Sequence, residues 1–367
     1  MNHPFHKNEL VVTDHVQDWP DYPPVPVFQT PVPLRQGFRS LFAKKPLWVP
    51  TIADFQYFCP SVIPDVVARG AVQEGADFPE DKFGGPDMFG VPWVYEPLAG
   101  GSIEKSGFIL FDDANDWKDK LVLPDPDSWD WDASARMNEA YLDTGRANIL
   151  RLFSGCWFER LISFMGFENA AMALIDEDQQ DAVLDLFETV TDIHCRLIDI
   201  ACSVYKLDGF NVHDDWGAQK SPFFSFDTGK NMIVPSMRKL TDHIHSKGMI
   251  AELHSCGNIG KQIENFILAG WDCWAPQPIN PVEEYYQKYG DKIVIEVIPE
   301  SFDRKTASEE EQRNAARTFF HAHHDPKKPC KIGYYGTDNL TPAFCEELYK
   351  ISRIHLWRYI YDDKSRF

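Results

Sequence analysis

No stretch of this chain reaches the roughly 20 consecutive apolar residues that a membrane span requires, although 44% of its residues are hydrophobic and 14% aromatic. That shortage argues against a membrane role and leaves ample material for a large core. Basic residues are also scarce, since 36 Lys and Arg against 56 Asp and Glu give a formal net charge of -20. Such a surface repels polyphosphate, which argues against nucleic-acid binding and favours an enzyme, or a partner that brings its own basic patch. Eight cysteines in 367 residues are too few for a disulfide scaffold. The first residues, Met1 to Lys7, lack the basic-then-apolar pattern of a secretion signal. Reduced thiols in the cytoplasm are therefore expected.

What is abundant is unevenly spread. Pro20, Pro23, Pro24, Pro26, Pro31 and Pro33 crowd residues 1–33, too many for helix, and predict an extended arm laid over the body or a partner. A single domain is expected over 34–367. It opens with a helix over 34–44 and a strand over 47–52, followed by an irregular, Gly-, Pro- and Trp-rich excursion over 84–131 with room for a hairpin. Beyond it, strand-like runs at 148–153, 209–213, 249–254, 273–276, 292–298 and 331–335 alternate with helical stretches. Glu177–Tyr205 is long and amphipathic, Ser308 to Glu311 is a capping box, and Thr341-Pro342 starts the last helix. Alternation of this kind implies parallel strands joined by crossover helices. With one further strand in the excursion the count reaches eight. The expected fold is an α/β (β/α)8 TIM barrel with an N-terminal arm and an insertion after the first strand.

Polar residues follow these strands, at the end of a barrel where active sites are built. The sharpest pattern is His254-Ser255-Cys256-Gly257-Asn258, closing the run Met249–Leu253. Side chains alternate along a strand, so the imidazole and the thiol share a side, Ser255 opposes them, and Gly257 lets the chain turn. Two borderline-soft donors in one reach favour zinc, which still requires a third ligand and an open position. Glu300 is the favoured third ligand, with Cys156, Glu296, Cys330 and Asp338 as alternatives. Of these, Cys330 precedes its strand and falls at the opposite end. His213-Asp214-Asp215-Trp216-Gly217-Ala218-Gln219 sets His213 and Asp215 on one side, where either could orient substrate, move a proton or support a metal-bound histidine. Asp54, Trp216, Gln219, Asn258 and Tyr334, at or beside strand exits, complete the substrate-binding candidates, the indole suiting a flat aromatic ligand. The cluster Phe319–His324 ends a helix, where histidines complement its dipole.

Several segments together resemble the uroporphyrinogen decarboxylase superfamily, and within it the corrinoid-dependent methyltransferase branch. They are Arg151 to Leu161, Met165 to Asn169, His213 to Gln219, Leu253 to Asn258, Gly85 to Val91, and Trp117. The resemblance implies a (β/α)8 barrel with zinc at its mouth, held in part by His254 and Cys256. It also implies methyl transfer between a small substrate and the cobalt of a corrinoid carried by a separate protein, which would dock transiently over the rim. The His-x-Cys pair argues against porphyrin decarboxylation, which needs no metal. The thiol-methylating members take a second cysteine from a Gly-Cys-Gly turn after the last strand, and here that segment reads Tyr334-Tyr335-Gly336-Thr337-Asp338. A His-Cys-carboxylate set leaves zinc more electropositive and suits polarising an ether oxygen. O-demethylation of a methoxylated, aromatic substrate is the expectation; transfer to a thiol such as coenzyme M, or metal-independent decarboxylation, is the alternative. A homodimer is compatible with this reading.

Overall fold

The structure is a computed structural model that describes residues 4–17, 22–98 and 100–361. Pro20 of the arm, residues 1–3 and residues 362–367 lie outside them. The principal sheet has seven strands: β1 (Phe55–Phe58), β2 (Ala147–Leu152), β3 (Gly209–His213), β4 (Ile250–Ser255), β5 (Cys273–Pro276), β6 (Val294–Glu296) and β7 (Cys330–Lys331). Helices alternate with them, Gln180–Val204 before β3, Val234–Ser246 before β4, Glu309–Ala322 before β7 and Pro342–Tyr361 after it. This is the expected α/β fold of TIM-barrel type. Among the described residues no helix is long and apolar enough to cross a membrane.

The chain clusters into two compact units, one of Met1–Gln56, Gly145–Ala147 and Asp272–Phe367, the other of Tyr57–Thr144 and Asn148–Trp271. In the second unit β2, β3 and β4 pair in parallel, with Arg151 beside Asn211, Asn211 beside Glu252, and His213 beside His254. Alternation then sorts the side chains. Leu150, Leu152, Phe210, Val212, Ala251 and Leu253 are buried apolar positions, and the polar residues between them share the other face. The excursion forms a three-stranded antiparallel sheet of Gly85–Pro86, Pro92–Glu96 and Gly101–Glu104. Asp87 organises its turn, accepting from the Phe89 and Val91 amides at 2.9 and 3.0 Å and from Trp93 Nε1 at 3.0 Å. Arg160, on the helix Phe158–Met165, pairs with both Asp65 and Asp87, and all three are buried.

In the first unit the arm is more regular than its prolines suggest. Val12–Val16 pairs antiparallel with Val25–Phe28, which is buried along its length. Phe28 packs against Tyr349 at 5.3 Å between ring centroids. Buried Glu9 accepts from Tyr349 Oη at 2.7 Å and Arg353 Nε at 3.1 Å. The helix Glu309–Ala322 begins with both bonds of the expected Ser308–Glu311 capping box.

Three expected strands differ: the strand sought in the excursion joins the separate antiparallel sheet, leaving seven rather than eight in the principal sheet among the described residues. Residues 47–52 are not a strand. Pro46 and Pro50 lack amide hydrogens, and Thr51 is taken into a turn whose amide donates to Asp54 Oδ2 at 2.8 Å. The first strand starts at Phe55, so Asp54 precedes it rather than following it. The last strand ends at Lys331, because Gly333 opens into a 3-10 helix over Tyr334–Asn339. Cys330 thus lies within that strand, not before it.

Candidate metal centre

β3 and β4 end side by side with His213 next to His254, and their exit loops then cross. The Asp214 amide donates to the His254 carbonyl at 3.1 Å, and the Cys256 amide donates to Asp215 Oδ1 at 2.7 Å. Gly257 adopts φ +92°, and a Cβ there would sit 2.3 Å from the carbonyl of Gly217. No other residue fits a backbone approach this close. The donor atoms of Asp215, His254 and Cys256 consequently lie within 4.8 Å of one another, with His254 Nε2 3.4 Å from Cys256 Sγ.

One imidazole nitrogen, one sulfur and one carboxylate oxygen converging in this way form a set suited to a divalent ion of zinc type. Its electrostatics fit a cation. Burial pushes the Cys256 thiol well above its ordinary range, and the neighbouring Asp215 charge pushes it further. A cation bound between thiol and carboxylate would offset both penalties and hold the sulfur as thiolate.

Around this trio the second unit gathers aromatic and charged groups. The His213 ring lies 4.7 Å from that of His254 and 4.6 Å from that of Phe153. Its Nε2 is 2.8 Å from Asn211 Oδ1, an oxygen that can only accept, so Nε2 carries the hydrogen. Burial, then the nearby His254, holds the His213 pKa well below the usual histidine range. Arg69 pairs with Glu159, donates to Ser154 Oγ at 3.3 Å and stacks over Trp93 at 4.6 Å. Glu159 is raised to about 7 by burial, opposed by Arg69 and reinforced by the charge of Asp215. Arg151 lies over the Tyr57 ring, 3.4 Å from its centroid.

The remaining sequence candidates are not among the three converging donors. Trp216 is fully buried, its Nε1 donating to Asp214 Oδ2 at 2.6 Å, so it packs rather than facing a ligand. Gln219 is exposed, and the Asn258 amide closes the loop by donating to the Ala218 carbonyl at 2.8 Å. Cys156 is fully buried outside the donor trio. Asp54, Glu296, Glu300, Cys330, Tyr334 and Asp338 all belong to the other unit. Glu300 is exposed and not among the converging donors. Glu296 is buried in a pair with Lys331 at 3.0 Å, and Asp54 accepts from Trp48 Nε1 at 2.7 Å. Tyr334 is 38% exposed on the 3-10 helix. Arg69 was absent from the sequence candidates, because it ends a helix of five residues, Pro64–Ala68, with no motif to mark it.

No family model matches the sequence, and no curated protein does. Among solved structures, a methyltransferase from Methanosarcina mazei superposes with a TM-score of 0.52 at 11% identity, covering 88% of this chain and 98% of its own. A xylose isomerase-like TIM-barrel protein from Mycobacterium smegmatis, solved with magnesium, covers 61% of this chain and 78% of its own at 15% identity, with a TM-score of 0.33. The first likeness is one of fold.

Proposed function

We propose that this chain is a zinc-dependent methyltransferase that removes the methyl group of a methoxylated aromatic substrate and passes it to the cobalt of a corrinoid on a separate, transiently bound protein. The observation that carries the reading is the convergence of Asp215, His254 and Cys256. The fold shared with a methyltransferase supports it. Asp215 takes the third ligand position in place of Glu300. The set is then the His-Cys-carboxylate type that favours ether cleavage, with a single thiolate where a thiol-methylating site would use two.

Bound there, zinc would supply Lewis-acid stabilisation to the oxygen that keeps the electron pair of the breaking bond to the methyl carbon. The chain's own residues do the rest. His254, Cys256 and Asp215 would hold the ion, and the Cys256 amide, donating to Asp215 Oδ1, orients that carboxylate. His213, fixed through Asn211, holds an unprotonated Nδ1 as acceptor for a substrate hydroxyl. Glu159, whose carboxyl is raised by burial, would supply a proton to the departing oxygen.

The test is metal analysis paired with methyl transfer to cobalt(I) cobalamin from methoxylated aromatic donors. Purified protein should hold about one zinc per chain. Cys256→Ala and Asp215→Ala should lose metal and rate together, and Glu300→Ala should keep both. Full activity without metal, or no transfer to cobalt from any such donor, would overturn the reading.

A further inference from the structure

Asp215 sits on a loop, and loops do not hold ligands to within tenths of an ångström unless something ties them down. In this loop both neighbours of Asp215 are tied. Asp214, buried, accepts from the amides of Phe158 at 3.3 Å and Glu159 at 3.0 Å, and its own amide bonds the His254 carbonyl. On the other side the Trp216 amide donates to Ser255 Oγ at 3.0 Å, and Ser255 is fully buried. Two residues further, Gly217 lies flat against Gly257, and the Ala218 carbonyl receives the Asn258 amide at 2.8 Å.

Ser255 is the one side chain of the ligand strand in this clamp. Strand alternation turns it away from the side that His254 and Cys256 share. It cannot touch an ion held by them. Its hydroxyl instead reaches the chain one residue past Asp215, joining the loop that carries the carboxylate to the strand that carries the imidazole and the thiol. The Cys256 amide, one residue on, orients the carboxylate itself.

We infer that Ser255 is a positioning residue that locks the Asp215 loop to the ligand strand, so that the three donors stand assembled before an ion arrives. This rests on the metal reading above. The physical basis is preorganisation: when the ordering of a ligand is complete in the free protein, none of the binding energy is spent on it.

The experiment uses the full-length, metal-free chain and cobalt(II) as the probe, because sulfur coordination to cobalt(II) gives a charge-transfer absorption and the visible bands report the ligand set. Wild type should bind with both signals. Ser255→Ala should bind about ten- to a hundredfold more weakly, the loss seen for groups that orient metal ligands. It should keep the sulfur charge-transfer band while its visible bands shift as Asp215 drops away. Ser255→Thr, which retains the acceptor oxygen, should recover most of the affinity. Hydrogen exchange on metal-free wild type needs no variant: the amides of Trp216 and Cys256 should already be protected. If wild type binds tightly and Ser255→Ala binds equally well with unchanged bands, the positioning role is wrong and the metal reading stands. If wild type shows no sulfur-to-cobalt absorption, both fall. Rapid exchange of those two amides in the metal-free chain overturns preassembly whatever the variants do.

Discussion

Removing the charge of Arg160 is the perturbation whose cost the structure sets most directly. The guanidinium is buried between Asp65 and Asp87, with Phe89 and Phe164 beneath it at 4.7 and 5.8 Å. Burial pushes the Asp65 carboxyl up, and Arg160 is the largest influence holding it down. Arg160→Met fills much of the volume but leaves two buried carboxylates facing each other. Breaking a buried pair in this way costs about 3–5 kcal/mol, which in a chain of this size lowers the thermal midpoint by roughly 4–6 °C. The same physics predicts rescue. Arg160→Met combined with Asp65→Asn and Asp87→Asn removes the stranded charges, and most of the loss should return. Thermal unfolding of wild type, Arg160→Met, Asp65→Asn with Asp87→Asn, and the triple variant at one pH and ionic strength measures it. A single-variant loss under about 1 kcal/mol, or a triple variant no more stable than Arg160→Met, would show that the triad is not the tie between the insertion and the helix Phe158–Met165.

Asp54 gives a pH dependence of known sign. Its buried carboxyl is raised from 3.8 to about 6 by desolvation. The native state therefore takes up the proton more readily than the unfolded chain, a stabilisation complete below the unfolded value and lost as pH rises through about 6. Relative to Asp54→Asn, wild type should lose about 2.4 kcal/mol between pH 4 and pH 8 in urea unfolding; a difference constant with pH refutes this. Gly333→Ala should destabilise strongly, since its Cβ would lie 1.8 Å from Glu296 Oε2. The carboxylate must then swing off Lys331, at a cost of about 3–5 kcal/mol, and a thermal midpoint within a degree or two of wild type would count against it.

Much of the architecture was legible before any coordinates because its signals are local. Helix caps, crossover alternation and the apolar runs of β2 to β5 depend on neighbours within a few residues, so the TIM-barrel class follows from them. Pairing His254 with Cys256 on one side of the chain required only strand alternation and a glycine to turn on. The misplaced first strand was a local signal overridden by another: apolar residues favoured strand at 47–52, but two prolines and the Asp54 side chain made a turn there.

What the tertiary structure alone decided is which distant groups meet. Asp215 and Cys256 are 41 residues apart, and no periodicity in either segment says that one loop's carboxylate accepts the other's amide. By type and order Glu300 was as good a third ligand, and only the crossing of the two exit loops brings Asp215 to the pair. Arg69 and Glu159 are 90 residues apart and unmarked by any motif as partners. Local sequence sets the conformational preferences of each segment, whereas a site is made by the closure of long loops, whose ends are specified by packing over the whole chain.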